Sequence, residues 1–245
     1  MKTLLLLLLS IVFAMPAQAA PTAAEVLATV DKNMTFESRK TTVTMTVTKN
    51  GRVKTYQMES FGRGADEGAV EFLAPARDKG TRMLKKGGEL WMFLPHVEKV
   101  QKISGHMLRQ GLMGSDFSYE DMLETAALSG RYDAKVLGEE VKDGRKTWKL
   151  EMTAKSADVS YPKRVSWIDQ EYGVPVREEL YAVSGMLLKV FTFTEVKDFD
   201  GRKFPTVFKA EDQVQQGSLT ELRFDSLEFT VAVPEEVFNL RWLER

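Results

Sequence analysis

The stretch TTVTMTVTKNGRVKTYQMES, residues 41–60, predicts the fold class of this chain. In its first half, valine and methionine alternate with threonine, which is the two-residue period of a strand with one buried face. Asn50-Gly51 then supplies the strongest short signal for a hairpin turn, and the second half follows as the partner strand. The sequence therefore predicts an antiparallel β-hairpin early in the chain.

The strand pattern recurs along the rest of the chain, separated by turn dipeptides such as Asp143-Gly144 and Asp200-Gly201. After 41–50 and 52–60, the candidate strands are 69–74, 81–86, 89–94, 97–103, 131–141, 145–154, 163–169, 174–183, 186–197, 203–213 and 219–231. We expect roughly eleven or twelve strands in meander order, because no helix is predicted between consecutive ones. The predicted fold is mainly β with a few helices (α+β), a single large curled antiparallel sheet or half-open β-barrel of about 11 strands.

Local patterns add detail to this fold. Thr22 and Glu25 form a capping box at the start of a predicted first helix. The strand ELWMFLP (89–95) has five consecutive apolar residues, so both of its faces are expected to be dry. A change of parity near Asp225-Ser226 predicts a bulge where the last strand bends. A sheet curled around an apolar interior and partly covered by helices fits these patterns.

The first residues, 1–19, have the composition of a cleaved secretory signal peptide. Lys2 precedes a short apolar run, and Ala17-Gln18-Ala19 supplies the small-x-small cleavage pattern. We expect residues 20–245 to form a single domain, because no repeat, low-complexity tract or long linker interrupts them. The chain contains no cysteine to carry a lipid, so the mature protein is expected to be soluble and untethered.

Composition also limits the chemistry. A net charge of −1 gives no basic field, so nucleic acid is not an expected partner. The two histidines, His96 and His106, are too few for a metal site without cysteine ligands. Phosphate-binding, dinucleotide-binding and nucleophile-elbow motifs are absent from the sequence. We predict no catalytic residue, metal or cofactor; a hydrolase that uses Ser115 or nearby carboxylates is the alternative.

The block GLMGSDFSYEDML (111–123) is the most distinctive stretch of the chain. Glu120, Asp121 and Glu124 could serve as paired carboxylates for acid–base chemistry. Their spacing instead favours the solvated face of a short helix, which a capping box from Ser118 to Asp121 would begin. The preceding piece, HMLRQGLM, is also amphipathic and is flanked by glycines.

Two interpretations of these pieces stay open. They are either plain helices that cover the core or a movable cover over an apolar interior, with glycines as pivots. Methionine favours the movable cover, because its flexible thioether adapts to irregular ligands. The residues predicted for such a lid are Met107, Leu108, Leu112, Met113, Phe117, Tyr119 and Met122.

Basic side chains precede the predicted cover. They are His96, Lys99, Lys102, His106 and Arg109. Lys99 and Lys102 differ in strand parity, so a solvated surface is the simpler interpretation, with contact to anionic head groups as the alternative.

The run LPHVEKVQKISGHMLRQGLMGSDFSYEDML (94–123) resembles bacterial outer-membrane lipoprotein-sorting proteins of the LolA/LolB-like superfamily. The block Gly114–Asp121 carries most of the match, together with Trp91, Arg109 and the late VPEEVFN (233–239). The resemblance extends across most of the mature chain.

This resemblance implies a half-open antiparallel β-barrel with a helical lid over a hydrophobic cavity. It implies a carrier of lipoprotein or lipid acyl chains in the periplasm of a Gram-negative bacterium. An inner-membrane lipid transporter and an outer-membrane acceptor would be its partners, and membrane contact would be transient. The alternative is a lipid-binding sensor or an accessory subunit of an exporter or envelope regulator. From strand parity, the predicted cavity residues are Val43, Met45, Val47, Phe72, Met83, Trp91, Phe93, Trp148, Leu150, Met152, Trp167, Phe191 and Phe193.

Overall fold

The structure is a computed structural model that describes residues 20–124, 126–157, 159–215 and 217–245. The predicted signal peptide, residues 1–19, lies outside the described residues. The described chain is mainly β, with few helices. Within these ranges, no helix is long and apolar enough to cross a membrane.

Thirteen strands form one antiparallel sheet in the described chain. They are β1 (Ser38–Lys49), β2 (Arg52–Arg63), β3 (Glu67–Ala74), β4 (Arg82–Lys86), β5 (Glu89–Leu94), β6 (Lys99–Ile103), β7 (Tyr132–Lys142), β8 (Arg145–Ala154), β9 (Lys163–Asp169), β10 (Pro175–Tyr181), β11 (Leu187–Phe199), β12 (Arg202–Asp212) and β13 (Ser218–Phe229). Each candidate segment of the sequence coincides with one strand, so the expected count of about 11 was too low. The short strands β4, β5 and β6 are separate strands, because β4 pairs with β3 and β5, and β5 pairs with β6.

The helices are short apart from the first. The α-helices are α1 (Ala23–Met34), α2 (Leu128–Arg131) and α3 (Leu240–Leu243), and the 3-10 helices are Gly105–Arg109, Leu112–Gly114 and Glu235–Phe238. The predicted capping box forms at α1, where the backbone N–H of Thr22 donates to Glu25 Oε2 at 2.7 Å.

The order across the sheet is β6-β5-β4-β3-β2-β1-β13-β12-β11-β10-β9-β8-β7. The chain runs outward from β1 to the edge strand β6, then returns from the opposite edge strand β7 to β13, which pairs with β1. The sheet is therefore open, with β6 and β7 as its edges. Residues 104–131, which we call the crossover segment, join the two edges and must lie over one face of the sheet.

The hairpin turn and the bulge occur where the sequence predicts them. Asn50 and Gly51 have positive φ angles of 51° and 73° and join β1 to β2. Between β1 and β13, the register shifts so that Asp225 is an extra residue opposite the step from Thr42 to Val43. Asp225 Oδ2 accepts a hydrogen bond of 2.6 Å from Thr44 Oγ1. The last strand therefore bends at the predicted position.

The two faces of the sheet have different covers. On the inner face, the crossover segment packs over β1–β6 and β12–β13, where Met45 and Phe72 are fully buried. α1 covers β7–β9 on the same face. On the outer face, the C-terminal helices pack against β2–β5 through Phe238 and Trp242. The inner face is thus divided between two covers, and a gap remains between them.

Candidate functional site

A cavity of about 290 Å³ occupies this gap on the inner face. α1 contributes Val30 and Met34, β1 contributes Val43 and Met45, and the crossover segment closes the cavity from above. Most of its wall is aromatic or aliphatic, and the phenylalanines are Phe36, Phe117, Phe191, Phe193, Phe204, Phe208 and Phe224. Such a wall favours an apolar ligand.

Apart from Phe36, these phenylalanines form a continuous packed layer. Phe208 lies edge-on to Phe193 and tilted by 66° to Phe224, with ring centroids 4.9 and 5.0 Å apart. Phe204 packs against Phe224 at 5.7 Å, and Phe117 of the crossover segment reaches Phe191 at 5.3 Å. β11, β12 and β13 present these residues to one side because their inward positions alternate along each strand.

The crossover segment does not form the amphipathic helices expected from the sequence. Residues 105–114 make two short 3-10 helices, and residues 119–123 make turns. The predicted capping box between Ser118 and Asp121 does form, with N–H to side-chain distances of 2.6 and 3.2 Å. It closes a single turn, and residues 119–123 continue as turns in place of the expected α-helix.

The crossover segment folds back on itself, and this fold-back requires a glycine. Gly111 and Ser118 form an isolated antiparallel bridge, and the N–H of Leu112 donates to the carbonyl of Phe117 at 2.7 Å. A Cβ at Gly111 would lie only 2.0 Å from the carbonyl oxygen of Ser115. Gly111 is therefore needed for close backbone approach, which is a structural role for one glycine of the block.

The carboxylates of Asp116, Asp121 and Glu124 are largely buried and engaged with the sheet, so the predicted place of Asp121 and Glu124 on a solvated helix face is wrong. Glu120 is only half-buried. Asp116 receives hydrogen bonds from Ser218 and Thr220 of β13, the latter at 2.7 Å. Asp121 pairs with Lys189 of β11 at 2.6 Å. A buried carboxylate of this kind fastens the crossover segment to the strand beneath it.

A second set of polar contacts lies beside the first. The hydroxyl of Tyr161 donates to Asp121 Oδ1 at 2.6 Å, and burial together with Asp121 raises the pKa of Tyr161. Arg164 of β9 pairs with Glu124 and lies 3.5 Å from Glu178. Burial lowers the pKa of Arg164, whereas the nearby carboxylates oppose that effect. We call the contacts of Asp116, Asp121 and Glu124 with the sheet the polar latch.

The geometry offers little to the hydrolase alternative. Ser115 is buried, and its hydroxyl donates to the carbonyl of Phe117 at 3.0 Å. His96 and His106 are exposed. In the described ranges, no group of histidine, aspartate and glutamate side chains is arranged to hold a metal ion.

The structure brings some of the predicted cavity and lid residues together. Those that line the cavity are Val43, Met45, Phe191, Phe193, Leu112, Phe117 and Met122. Others belong to the packed core beside it, and these are Val47, Phe72, Met83, Met107, Leu108, Met113 and Tyr119. The basic residues Lys99 and Arg109 are exposed, as a solvated surface requires.

Six predicted cavity residues lie elsewhere. Trp91 and Phe93 face outward and pack against the C-terminal helices. Both faces of β5 are dry, so its hydrophobic pattern could not reveal which residues point inward. Trp167 likewise faces outward, on a strand buried on both faces.

The remaining three, Trp148, Leu150 and Met152, are on the inner face but lie beneath α1. Their parity was predicted correctly, and the helix fills the space above them. They are core residues, and the cavity begins beyond the helix.

Several lining residues were missed. Phe204, Phe208 and Phe224 lie within predicted strands, and strand parity was the signal that could have found them. Arg39 was missed because the first strand was expected to begin at residue 41, whereas β1 begins at Ser38.

A family model described as "-like: Uncharacterized protein" matches residues 64–245. The match spans most of the chain, and the chain belongs to this family. No curated protein matches the chain.

Solved structures share the fold across nearly the whole chain. A LolA superfamily protein from Nitrosomonas europaea is 25% identical, with a TM-score of 0.76 over 91% of this chain and 100% of its own. An outer membrane lipoprotein-sorting protein domain from Vibrio parahaemolyticus is 25% identical, with a TM-score of 0.78 over 91% of this chain and 97% of its own. A DUF1329 family protein from Desulfovibrio piger has a TM-score of 0.82 at 24% identity and covers 90% of this chain and 97% of its own. These neighbours confirm the resemblance to outer-membrane lipoprotein-sorting proteins of the LolA superfamily.

Proposed function

We propose that this protein is a periplasmic carrier that binds acyl chains of lipoproteins or lipids and moves them between the inner and outer membranes. The observation that carries the proposal is the apolar cavity of about 290 Å³ between α1 and the crossover segment. Burial of an acyl chain contributes about 0.8 kcal/mol per methylene, so a mainly apolar wall of phenylalanine, valine and methionine favours such cargo. The description of the Vibrio parahaemolyticus neighbour as a lipoprotein-sorting domain supports the same class of cargo.

In this proposal the crossover segment is the lid. Its contact with the sheet combines apolar packing by Leu112 and Phe117 with the polar latch. Breaking the contacts of Asp116, Asp121 and Glu124 with the sheet would let the segment lift without disturbing the strands. An inner-membrane lipid transporter would load the cavity, and an outer-membrane acceptor would empty it.

The proposal is for a binding protein and not an enzyme. Ser115 hydrogen-bonds within its own segment, and the carboxylates of the block are held by cations and hydroxyls of the sheet. The candidate signal peptide and the absence of cysteine from the sequence support a soluble protein of the periplasm.

Native mass spectrometry of the protein purified from its own host without detergent tests the proposal. We expect a bound lipid or acylated peptide that organic extraction releases. Val43→Phe fills the cavity from β1 and should lower occupancy, whereas Thr46→Phe adds the same ring on the opposite face of β1 and should not.

Two results would count against the carrier. A folded native chain that is empty, and takes up no added lipid, would remove the proposed function. A chain that carries lipid but is recovered with an envelope regulator, and with neither a transporter nor an acceptor, would favour the sensor alternative.

A further inference from the structure

One cationic side chain of the cavity wall forms no ion pair with any residue that the structure describes. Arg39 is an inward-facing residue of β1, in line with Thr41, Val43 and Met45, and it lines the cavity at the C-terminal end of α1. Its guanidinium carbon lies 4.4 Å from the ring centre of Phe36 and 5.9 Å from that of Phe224. Aromatic rings hold the cation in place but do not neutralise it.

The hydrogen-bonding capacity of Arg39 is incomplete. Its Nε is buried and has no hydrogen-bond partner among the described residues. Burial lowers the pKa of Arg39 to about 10, so the side chain still carries its charge at neutral pH. An unpaired buried cation is costly, and in a folded protein such a group is normally paired.

The carboxylates that line the same cavity are already engaged. Asp121 pairs with Lys189, while Glu124 and Glu178 pair with Arg164. Asp31 accepts the backbone N–H groups of Leu128 and Ser129 at 2.8 and 3.1 Å. None of the ion pairs found in the described ranges involves Arg39, so no carboxylate among those residues lies within ion-pair distance of its guanidinium.

A smaller cavity of about 60 Å³ adjoins the first, and Arg39 lines both. This volume exceeds the roughly 10–15 Å³ that one water molecule needs. Lys85 of β4 also lines the smaller cavity, where its ammonium donates to the carbonyls of Ala65 and Leu123. The one carboxylate of that wall, Glu67, is bound by Arg63. A small cavity lined by two basic side chains therefore lies beside the larger apolar one, and Arg39 belongs to the walls of both.

We propose that Arg39 is the head-group site for an anionic amphiphile, whose phosphate or carboxylate oxygens it binds while the acyl chain occupies the larger cavity. This inference rests on the proposed function and narrows its cargo to anionic lipids. The planar guanidinium suits bidentate binding of such oxygens.

Equilibrium dialysis with three labelled probes tests the inference. Palmitoyl lysophosphatidate and monopalmitoylglycerol share one acyl chain and differ in the phosphate, and inorganic phosphate lacks the chain. We expect the native chain to bind lysophosphatidate about tenfold or more tightly than the neutral lipid, and inorganic phosphate far more weakly than either.

The variants separate charge from packing. Arg39→Met should remove the preference for lysophosphatidate and leave monopalmitoylglycerol binding unchanged or tighter, because methionine keeps an apolar stem. Arg39→Lys should keep part of the preference. Arg52→Met changes the same charge at an exposed position of β2 and should have no effect. Thermal unfolding of each variant verifies that it is folded.

Results other than those expected would contradict either the head-group site or the carrier function. Equal binding of both lipids by the native chain, or an unchanged preference in folded Arg39→Met, would overturn the head-group site and leave the carrier intact. Phosphate that binds as tightly as lysophosphatidate would show an ion site without acyl cargo, and so would also overturn it. If neither lipid binds, the proposed function fails and takes this inference with it.

Discussion

Lys85 is a buried cation on the inner face of β4, beneath the crossover segment. Its ammonium donates to the carbonyl oxygens of Ala65 and Leu123 at 2.5 and 2.8 Å. Burial lowers the pKa of Lys85 to about 8, against an opposing effect from Asp66. Burial removes hydration that the ammonium has in the unfolded chain, so folding makes the ammonium easier to deprotonate.

The titration of Lys85 should therefore make the free energy of unfolding increase as the pH rises. The folded pKa of Lys85 lies below the unfolded value of about 10.4, so between these values the unfolded chain binds more protons. From pH 7 to 9.5, we expect the free energy of unfolding to rise by about 1 kcal/mol more in the native chain than in Lys85→Met. Urea unfolding across this pH range measures the difference. Lys54→Met, at an exposed position of β2, should retain the native pH dependence, and equal slopes in all three proteins would contradict the assignment.

At the scale of elements, the polar latch holds a mostly irregular segment whose helices are only three to five residues long. Lys189 and Asp121 are both largely buried, with 12% and 7% of their side chains exposed. Removal of one partner from a buried pair leaves an uncompensated charge, and this costs more than the loss of the whole pair.

Lys189→Met should loosen the crossover segment. We expect faster amide hydrogen exchange over residues 111–124 and little change in the strands, because local opening relieves the buried Asp121 carboxylate. The double variant Lys189→Met with Asp121→Asn should recover part of the protection, since it leaves no buried charge. Lys197→Met, at an exposed site of the same strand, is the control. Unchanged exchange in Lys189→Met would mean that apolar packing alone holds the segment.

The strands of the sheet could be predicted from the sequence, whereas the conformation of the crossover segment could not. The sequence located the thirteen strands of the described chain, because turn residues separate them and most have an alternating or wholly apolar pattern. The crossover segment has helix-like spacing, yet long-range contacts from Asp116 and Asp121 to β13 and β11 override it. No local pattern encodes those partners, which are about 70 to 100 residues away in the chain.

At the scale of the whole molecule, both faces of the sheet are covered over part of its width, so an apolar residue there can point to either face and still be buried. Leu84 and Trp91 contact the C-terminal helices, while their neighbours Met83 and Met92 belong to the inner core. Parity alone therefore could not separate cavity residues from core residues on β5 and β9. The missing information is which element covers each face, and this depends on the path of the entire chain.

The outer cover should contribute to stability independently of the cavity. Trp242 of α3 is buried against β2–β5, and Arg82 stacks on its ring at 5.2 Å and donates to its carbonyl at 2.9 Å. We expect Trp242→Ala to lower the free energy of unfolding by about 3 kcal/mol, through lost burial and the cavity left behind. Leu240→Ala, in the same helix but 46% exposed, should cost less than about 0.5 kcal/mol. Chemical unfolding measures both, and palmitoyl lipid binding should be unchanged in both folded variants because the inner face is untouched. A loss of binding in Trp242→Ala under native conditions would show that the outer cover helps to shape the cavity through the strands they share.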